Sequence, residues 1–501
     1  MASTGKRSLY LIGIGGTGAK VLEAVTHMAA TGVFGQIPVR VLYVDADENN
    51  GNLTRSRDSL RRFKAARSAC PWLSETTLEE YNPALWSPFG KVAGSKRLDS
   101  FFAYNNLRPN TNAIAELEDR AKLGYLFDIL YTQEEREASL DVGFRGRPAI
   151  GSAIMSQIEL GRLSEPPWSD LINRIKADAG EGTRSHILLV GSIFGGTGAS
   201  GLPTIGRLLT NKLVEEKIRN SVQIGVVFLL PYFHFMPSGQ VDEMYARADQ
   251  FGLNTESALR YYLTQASGIF NGVYLLGSPN RVEYSFSTGK EDQKNQAHVI
   301  ELYAALAIRA FIDEDFTQAE AQVMLMTRTH NRGVSWADIP QNGDAVNLLR
   351  KAVRFAYLWL DSFYPGLQRA SQMKAGDFAK REPWFGRFFK AGMFAGSLPV
   401  LDAAQLQQAA QVKEVCDALW RWVCEFHRYS GNEQVALFRC RGLENLGEGN
   451  GAMFADLVAG RNLTQAQRQQ EDIANIKLQL QDAPVQQGGV RELVQKLYAL
   501  C

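Results

Sequence analysis

The sequence predicts an α/β fold, in which a doubly wound, mainly parallel sheet is joined by a central helix to a largely helical second domain. Three observations predict it. Short apolar runs alternate with helical patterns up to about residue 311, as in parallel sheets covered by helices on both faces. Two glycine clusters each follow an apolar run and precede a helical pattern, which is typical of strand-to-helix turns. Beyond about residue 330 the periodicity becomes mostly helical.

The first unit of the sheet is predicted to be a strand over residues 8–12, a glycine cluster and a helix over residues 19–30. A β-branched strand follows over residues 39–44, and Asp45 and Asp47 come directly after it. Acidic side chains at the carboxyl end of a parallel strand lie at the edge where such sheets bind ligands. We therefore expect a ligand site there.

A large insertion is predicted at about residues 50–141. It opens with a basic segment over residues 55–67 and continues as a polar, helical pattern with sparse aromatic residues. We expect a solvated or partner-facing helix there, because single-stranded nucleic acids are bound by basic grooves with aromatic stacking platforms. A loop rich in glycine and arginine, residues 143–151, precedes a predicted helix over residues 152–163.

The remaining elements repeat the alternation and then give way to helices. Further strands are predicted over residues 186–190, 224–230 and 272–276. Further helices are predicted over residues 202–217, 249–262, 295–311, 344–360, 403–429 and 464–481. From these patterns we expect an α/β domain over residues 1–294, a central helix and acidic loop over 295–330, and a mainly helical domain over 331–501.

The composition predicts a folded protein of the cytoplasm. Apolar residues make up 45% of the chain and charged residues 21%, which excludes long disorder and a collagen-like repeat. The 54 basic and 53 acidic residues nearly cancel, so the overall charge gives no reason to expect binding to nucleic acid or to a membrane surface. The five cysteines form no C-x-x-C pair and no signal-peptide pattern precedes them, which predicts reduced thiols and no zinc site.

The first glycine cluster matches the pattern G-x-G-x-x-G. Its candidate phosphate-binding residues are Gly13, Gly15, Gly16, Thr17 and Gly18. Glycine lets backbone N–H groups approach phosphate oxygens, and the helix that follows adds its positive N-terminal dipole. Asp45 and Asp47 fall where the acidic ribose ligand of a dinucleotide site would lie, so an NAD-dependent oxidoreductase is one candidate.

The second glycine cluster favours a longer phosphate chain. It also follows a strand and opens a helix, and its candidate residues are Gly195, Gly196, Thr197 and Gly198. A nucleoside triphosphate could contact two such loops on one sheet edge, whereas the pyrophosphate of a dinucleotide needs only one. The pair of loops therefore predicts a nucleoside triphosphate site.

These motifs resemble those of the tubulin and FtsZ superfamily, and most of all those of its divergent bacterial tubulin-like members. Residues 195–201 are similar to the family's GGGTGSG signature, and the first cluster is similar to its opening G-x-G-G-x-G. The resemblance covers about residues 8–320.

Other segments extend the resemblance to the rest of a nucleotide site. Asp45 and Asp47 occupy the loop after the second strand, and Arg147 lies in a loop similar to the one that closes on the γ-phosphate. A guanidinium there could clamp a phosphate in bidentate fashion. Asn280, in a Pro-Asn pair, and Asn295, at the predicted start of the central helix, resemble the residues that contact the base.

The resemblance implies a GTP-binding protein that uses Mg²⁺ and assembles head-to-tail into filaments. In this family, GTP hydrolysis is completed by acidic residues that the next subunit contributes from a loop after the central helix. Asp315, followed by Phe316, matches the acid of that loop, and Asp313 and Glu314 are the neighbouring candidates. A carboxylate held near the γ-phosphate can orient the attacking water.

Two departures from the family pattern keep a second class of function open. Phe194 stands where the family has the first glycine of its signature, which is expected to narrow the phosphate pocket, and Gln318 stands where it has a final acid. They favour a non-polymerising nucleotide switch or scaffold. Such a protein would belong to a multi-component bacterial system, such as a defence system, and would bind protein partners through its C-terminal half. The base also stays open, because the amides of Asn280 and Asn295 can bind either purine.

Overall fold

The computed structural model has the α/β architecture that the sequence predicts. It describes residues 6–90, 96–98, 125–235, 250–265, 268–278, 281–285, 290–316, 321–326, 333–340, 343–392, 396–429, 435–440, 446 and 454–501. In chain order the strands are β1 (Arg7–Ile14), β2 (Val39–Val44), β3 (Leu78–Trp86), β4 (Arg184–Ser192), β5 (Val222–Leu229), β6 (Phe233–Phe235), β7 (Gly272–Leu276), β8 (Val282–Tyr284) and β9 (Gln322–Met326).

Seven of these strands form one parallel sheet in the order β3-β2-β1-β4-β5-β7-β9, and β6 pairs with β8 in a separate parallel ribbon. The central strands β1, β4 and β5 are buried along nearly their whole length. Continuous burial is expected of parallel strands that helices cover on both faces.

Helices alternate with these strands and then fill the second half of the described chain. In chain order they are α1 (Gly15–Ala30), α2 (Gly51–Ala66), α3 (Pro71–Ser74), α4 (Gln133–Glu137), α5 (Pro148–Ser156), α6 (Trp168–Gly180), α7 (Gly196–Glu215), α8 (Gln250–Gln265), α9 (Val299–Asp313), α10 (Gly343–Leu358), α11 (Tyr364–Ser371), α12 (Ala375–Arg381), α13 (Phe385–Phe388), α14 (Ala403–Tyr429), α15 (Gln465–Gln470), α16 (Ile473–Asp482) and α17 (Gly489–Leu500). A π-helical turn, Trp359–Phe363, joins α10 to α11.

The two faces of the sheet are covered by different sets of helices. Side chains of α5, α6 and α7 share one hydrophobic core with the sheet. On the other face, side chains of α1, α2 and α9 share a core with the C-terminal helices α10, α14 and α17. The helical half therefore packs onto the α/β half, and the domain boundaries expected from the sequence stay a prediction.

Contacts between aromatic rings join the two halves. Trp72 stacks on Tyr498 with ring centroids 3.7 Å apart, and the Tyr498 hydroxyl donates a hydrogen bond to the carbonyl of Thr31 at 3.1 Å. The ring of His27 on α1 lies 5.0 Å from that of Trp422 on α14. The C-terminal helices thus cover the C-terminal end of α1 and the segment that follows α2.

Both edge strands of the sheet were absent from the sequence prediction. β3 lies inside the segment assigned to an insertion, and its sequence contains Glu79, Glu80 and Pro83. Proline and charged residues disfavour a central strand but are tolerated at an edge, which explains why the pattern did not reveal it. β9 follows α9 and extends the sheet beyond residue 294.

The central helix begins later than the sequence predicts, at Val299 rather than at residue 295. The His298 side chain accepts a hydrogen bond from the backbone N–H of Ile300 at 3.1 Å, and the Glu301 carboxylate accepts one from the N–H of His298 at 3.2 Å. This reciprocal pair satisfies N–H groups that the first turn leaves unpaired, so the helix starts here. Asn295 accordingly precedes the helix.

The predicted helix over residues 464–481 is interrupted, because α15 ends at Gln470 and α16 begins at Ile473. Among the helices of the described residues, none combines the length and the apolar character needed to cross a bilayer.

Candidate functional site

The two glycine loops lie side by side at the carboxyl ends of the neighbouring strands β1 and β4. A Cβ atom on Gly15 would lie 3.3 Å from Cβ of Thr197 and 3.5 Å from the backbone nitrogen of Gly198. A Cβ atom on Gly191 would lie 2.7 Å from the carbonyl oxygen of Ile14. Side chains at these glycines would therefore push the loops apart, so the loops can meet only as glycine-rich segments.

Each glycine loop is also the first turn of a helix. α1 begins at Gly15, whose φ of +74° is readily adopted only by glycine, and α7 begins at Gly196. The residues before them, Ile14 and Gly195, provide no side-chain cap. The first backbone N–H groups of both helices, with their positive dipole ends, thus converge at one point of the edge, as an anion site requires.

Asp45 lies buried beside the second glycine loop. Its Oδ1 accepts a hydrogen bond from the backbone N–H of Asp47 at 3.2 Å. Burial raises the pKa of Asp45 to about 7, and hydrogen bonds from Asp47, Ala46 and Thr197 only partly oppose this shift. The carboxyl group can therefore gain or lose a proton near neutral pH.

Asp47 points into the same region and is held by two backbone donors. It accepts hydrogen bonds from the N–H of Asn49 at 3.1 Å and from the N–H of Lys290 at 2.7 Å. Burial also raises the pKa of Asp47.

The donor set fits Mg²⁺ bound together with phosphate. The described residues contain no group of three or more histidine, cysteine, aspartate or glutamate side chains placed to hold a metal by themselves. Mg²⁺ commonly uses only one or two carboxylates and completes its shell with water and phosphate oxygens. Asp45 and Asp47, beside the converging N–H groups, could provide those carboxylates.

The third loop, residues 143–147, packs against the second glycine loop. A Cβ atom on Gly196 would lie 3.2 Å from the backbone nitrogen of Arg147, and one on Gly143 would lie 3.9 Å from Oγ1 of Thr197. The Arg147 guanidinium makes a close ion pair with Glu135 of α4. Arg147 thus lies near the site, but a phosphate would have to compete with Glu135 for its guanidinium.

Phe194 was expected to narrow the phosphate pocket, but its side chain points away from the glycine loops. Its side chain is 1% exposed, and its ring lies 4.9 Å from that of Phe251, 5.3 Å from that of Phe233 and 6.3 Å from that of Tyr232. The ring therefore packs in an aromatic core beneath the loop. It anchors the loop where the family motif has a glycine.

Asn254, which the sequence motifs do not include, contacts both the second glycine loop and the third loop. α8 begins at Gln250, so Asn254 lies inside the helix. Its Nδ2 donates to the carbonyl of Phe194 at 3.1 Å and to the carbonyl of Gly146 at 3.3 Å. Asn254 thereby links the second glycine loop to the third loop, a role that no local pattern indicates.

Residues 290–295, hereafter the strap, lie over the start of α2. Three hydrogen bonds hold the strap there: from Lys290 N–H to Asp47 Oδ2 at 2.7 Å, from Asn50 Nδ2 to Gln293 Oε1 at 2.6 Å, and from Asn295 N–H to Asn52 Oδ1 at 2.9 Å. A Cβ atom on Gly16 would lie 3.1 Å from Asn50 Nδ2 and 3.4 Å from Asn52 Nδ2. The structure therefore brings Asn295 to the first glycine loop through Asn52.

A buried ion pair lies between α1 and α9, below the first glycine loop. Lys20 Nζ lies 2.6 Å from a carboxylate oxygen of Glu301 and donates to the carbonyl of Gln296 at 2.7 Å. The Tyr232 hydroxyl donates to Glu301 at 3.2 Å. Burial lowers the pKa of Lys20 and raises the pKa of Glu301, while their mutual attraction opposes both shifts.

The residues after the strap also reach the helical half of the chain. The backbone N–H of Ala297 donates to Glu425 Oε2 on α14 at 2.5 Å. Glu425 lies 3.8 Å from the guanidinium of Arg55, which pairs with Glu23 of α1 at 2.8 Å. The strap, α1, α2 and α14 are therefore linked by one chain of polar contacts.

The candidate catalytic acids lie at the opposite edge of the sheet from the glycine loops. Asp313 ends α9 and pairs with Arg7 at 2.9 Å, and Asp315 makes a close ion pair with Arg184. Arg7 and Arg184 are the first residues of β1 and β4, whose other ends carry the glycine loops. At about 3.3 Å per residue, such strands separate the two edges by roughly 25 Å. Glu314 lies between the two aspartates and is exposed.

Asn280 and Gln318 lie outside the described residues. The structure brings together Gly13, Gly15, Gly16, Thr17, Gly18, Asp45, Asp47, Gly195, Gly196, Thr197 and Gly198, with Arg147 and Asn295 at the margin. It keeps Asp313, Glu314 and Asp315 apart from them.

Comparison with known proteins leaves the family open. No family model matches the chain, and no curated protein matches it. Among solved structures, the chain is similar to CetZ from Methanosaeta thermophila strain DSM 6194, with 13% sequence identity and a TM-score of 0.25. The match covers 62% of this chain and 57% of the length of that protein. A likeness this distant does not show a family, so the geometry of this chain has to indicate its function.

Proposed function

We propose that this chain is a tubulin-like GTP-binding protein that assembles head-to-tail and hydrolyses GTP where the acidic loop of one copy meets the glycine loops of the next. One observation carries the proposal. The glycine loops and the acids Asp313 and Asp315 lie at opposite ends of the same two strands, β1 and β4. A single copy cannot bring them together, but a repeated contact between unlike edges can.

The phosphates would bind at the converging N-termini of α1 and α7. Uncapped N–H groups and two helix dipoles stabilise several negative charges at once, as a triphosphate requires. The backbone of Gly198 lies 3.5 Å from where a Cβ atom of Gly15 would be, and this close approach supports one continuous phosphate site rather than two separate ones.

Asp45 and Asp47 are the residues that would hold Mg²⁺ beside the bound nucleotide. Bound there, the ion would neutralise charge that develops during phosphoryl transfer. The preference for GTP over ATP depends on the resemblance alone, since the amides of Asn280 and Asn295 suit either purine.

Asp315 is the proposed catalytic acid of the neighbouring copy. Its side chain lies at the amino end of β4 and is 56% exposed, so it can reach another molecule. Its carboxylate would orient a water whose oxygen attacks the γ-phosphorus. The bond from the γ-phosphorus to the bridging oxygen breaks, GDP leaves with the electron pair, and the water's proton passes to the phosphate product.

The test is phosphate release per subunit from GTP and Mg²⁺ over a wide range of protein concentrations. We expect the rate per subunit to rise above a threshold concentration, and we expect Asp315→Ala to lower the maximal rate by about 10² or more. Asp377→Ala is the matched control, because its side chain is 55% exposed and also ion-paired, but it lies in the helical half. A rate independent of protein concentration would contradict the proposal.

A non-polymerising switch is the second candidate, and one observation favours it. Asp313 and Asp315 are both ion-paired with arginines of their own chain. The contact between Ala297 and Glu425 would then carry nucleotide occupancy to the helical half. Measurable GTP binding without concentration-dependent hydrolysis would favour this candidate.

A further inference from the structure

Asp313 and Asp315, which lie at the amino ends of β1 and β4, are held in two different ways. Both carboxylate oxygens of Asp313 are occupied, Oδ1 by Arg7 Nη1 at 2.9 Å and Oδ2 by Arg309 Nη1 at 2.5 Å. Asp315 uses Oδ1 for its ion pair with Arg184, and within the described residues its Oδ2 has no partner. In the described part of the chain, one carboxylate oxygen of Asp315 is therefore open to a ligand, whereas both oxygens of Asp313 are occupied.

Arg184 is fixed by a buried amide on the next strand. Gln223 of β5 is 4% exposed and lies opposite His186 of β4. In the amide orientation that satisfies both of its neighbours, the Gln223 oxygen accepts a hydrogen bond from Arg184 Nη2 at 2.6 Å and one from the backbone N–H of Phe316 at 3.0 Å. One side chain thus orients both the guanidinium and the residue after Asp315.

The backbone directly after Asp315 is held in place by the packing of the Phe316 side chain. Phe316 is 4% exposed and stacks on Phe311 of α9 with ring centroids 4.9 Å apart. A Cβ atom on Gly272 would lie 2.9 Å from the Phe316 ring, so the absence of a side chain there makes room for it. The loop is therefore attached to the sheet directly after Asp315.

We infer that Arg184 and Gln223 position Asp315, so that Oδ1 is held and Oδ2 is presented to the nucleotide of the neighbouring copy. This inference depends on the proposed function. An aspartate on a surface loop ordinarily samples several rotamers, and only one of them would orient a water correctly. Holding one oxygen removes that freedom before the subunits meet, which lowers the entropic part of the barrier. Arg184 is thus a positioning residue, and Asp313 is a structural one.

The test separates positioning from assembly. We expect Arg184→Ala to lower the maximal phosphate release per subunit by about tenfold or more, since misplacement of about 1 Å can cost that much. We expect the threshold concentration and the affinity for GTP to stay at wild-type values. Arg184→Lys should recover part of the rate, because an ammonium can contact Asp315 but cannot also reach Gln223 in the fork geometry of a guanidinium.

Arg174→Ala is the matched control. Arg174 pairs with Asp178 at 3.2 Å and its side chain is 42% exposed, against 39% for Arg184, but among the described residues it does not contact the acidic loop. We expect its maximal rate to equal that of the wild type.

Each outcome decides the inference. A wild-type maximal rate in Arg184→Ala, with Asp315→Ala inactive, would overturn the positioning role and leave the proposed function standing. A raised threshold with an unchanged maximal rate would make Arg184 an assembly contact and would also overturn it. If Arg184→Ala does not fold, a wild-type rate in Arg184→Lys would overturn it. Hydrolysis independent of concentration in the wild-type chain would overturn the proposed function and this inference together.

Discussion

At the scale of single residues, the ionisation of Asp45 beside the glycine loops makes the stability of the folded chain depend on pH. Burial raises the pKa of its carboxyl from 3.8, the value of an exposed aspartate, to about 7. Between these values the folded state binds a proton that the unfolded state has released. The free energy of unfolding therefore falls as pH rises through this window. Above about pH 7 the folded state bears the full free-energy cost of burying the ionised carboxylate. Asp47, whose pKa burial also raises, adds to the same slope.

Replacing the Asp45 carboxyl by an amide should remove this dependence. We expect Asp45→Asn to raise the Tm relative to the wild type by several degrees at pH 8 and by much less at pH 5. Thermal unfolding followed by circular dichroism at the two pH values would measure it, with the exposed Asp377→Asn as the control. A difference in Tm that is the same at both pH values would contradict the role assigned to Asp45.

Phe194 shows how a residue-level departure from a motif can be misjudged. The resemblance to the family motif predicts a phosphate-contacting position for it, but the backbone there turns the ring into the aromatic core with Phe251 and Phe233. The direction of a side chain at a tight turn depends on the backbone, which a motif does not specify. The motif predicted a strand-to-helix loop here, which the structure has, but the surroundings expected for this ring were wrong.

At the scale of elements, α8 acts on the site through one side chain. Asn254 makes two hydrogen bonds, to the second glycine loop and to the third loop. A net hydrogen bond contributes about 1 kcal/mol, so losing both corresponds to roughly a tenfold effect or more if the loops must be aligned to bind phosphate.

We accordingly expect Asn254→Ala to weaken GTP binding about tenfold in equilibrium dialysis, with the far-ultraviolet circular dichroism spectrum unchanged. Glu256→Ala on the same helix is the control, since that side chain is 59% exposed and contacts only the neighbouring Arg260 in the described structure. Equal affinity of Asn254→Ala and wild type would show that the loops hold their alignment without α8.

The elements that the sequence predicted best are those with a strong internal pattern. β2, β7 and α14 have the predicted bounds, because β-branched runs and a long amphipathic pattern are local signals. β9 was missed because it is a short edge strand, with Val323 61% and Leu325 62% exposed. An edge strand owes its conformation to its one neighbour, which the local sequence does not contain.

The candidate site follows the same rule: its locally encoded residues were predictable from the sequence, and its long-range contacts were not. The glycine loops and Asp45 are local features of strand ends, and the structure brings them together. Asn295 of the strap was expected from the family resemblance, whereas Lys290 and Asn254 were not predictable, since they meet the site across 243 and 60 residues of chain. Such contacts depend on the packing of the whole sheet.

At the scale of the whole molecule, the helical half completes a core that the α/β half begins. Tyr498 and Trp422 cover Trp72 and His27, and the cluster on that face includes side chains from both halves. We therefore expect a chain of residues 1–330 to expose this face, to bind the dye ANS and to lose cooperative unfolding. The full chain is the comparison, and a monomeric fragment with a cooperative transition would mean that the first half folds independently.

The glycine loops and the acidic loop lie at opposite ends of β1 and β4, and this placement fixes how many nucleotides in a row of copies can meet an acid. In a row of n copies joined as proposed, only n − 1 nucleotides meet a neighbour's acids. One terminal copy keeps its nucleotide intact, and the other presents an acidic loop that faces no nucleotide, so the two tips differ chemically. Short rows would turn over less GTP per copy than long ones, and only closure into a ring would make every copy equivalent.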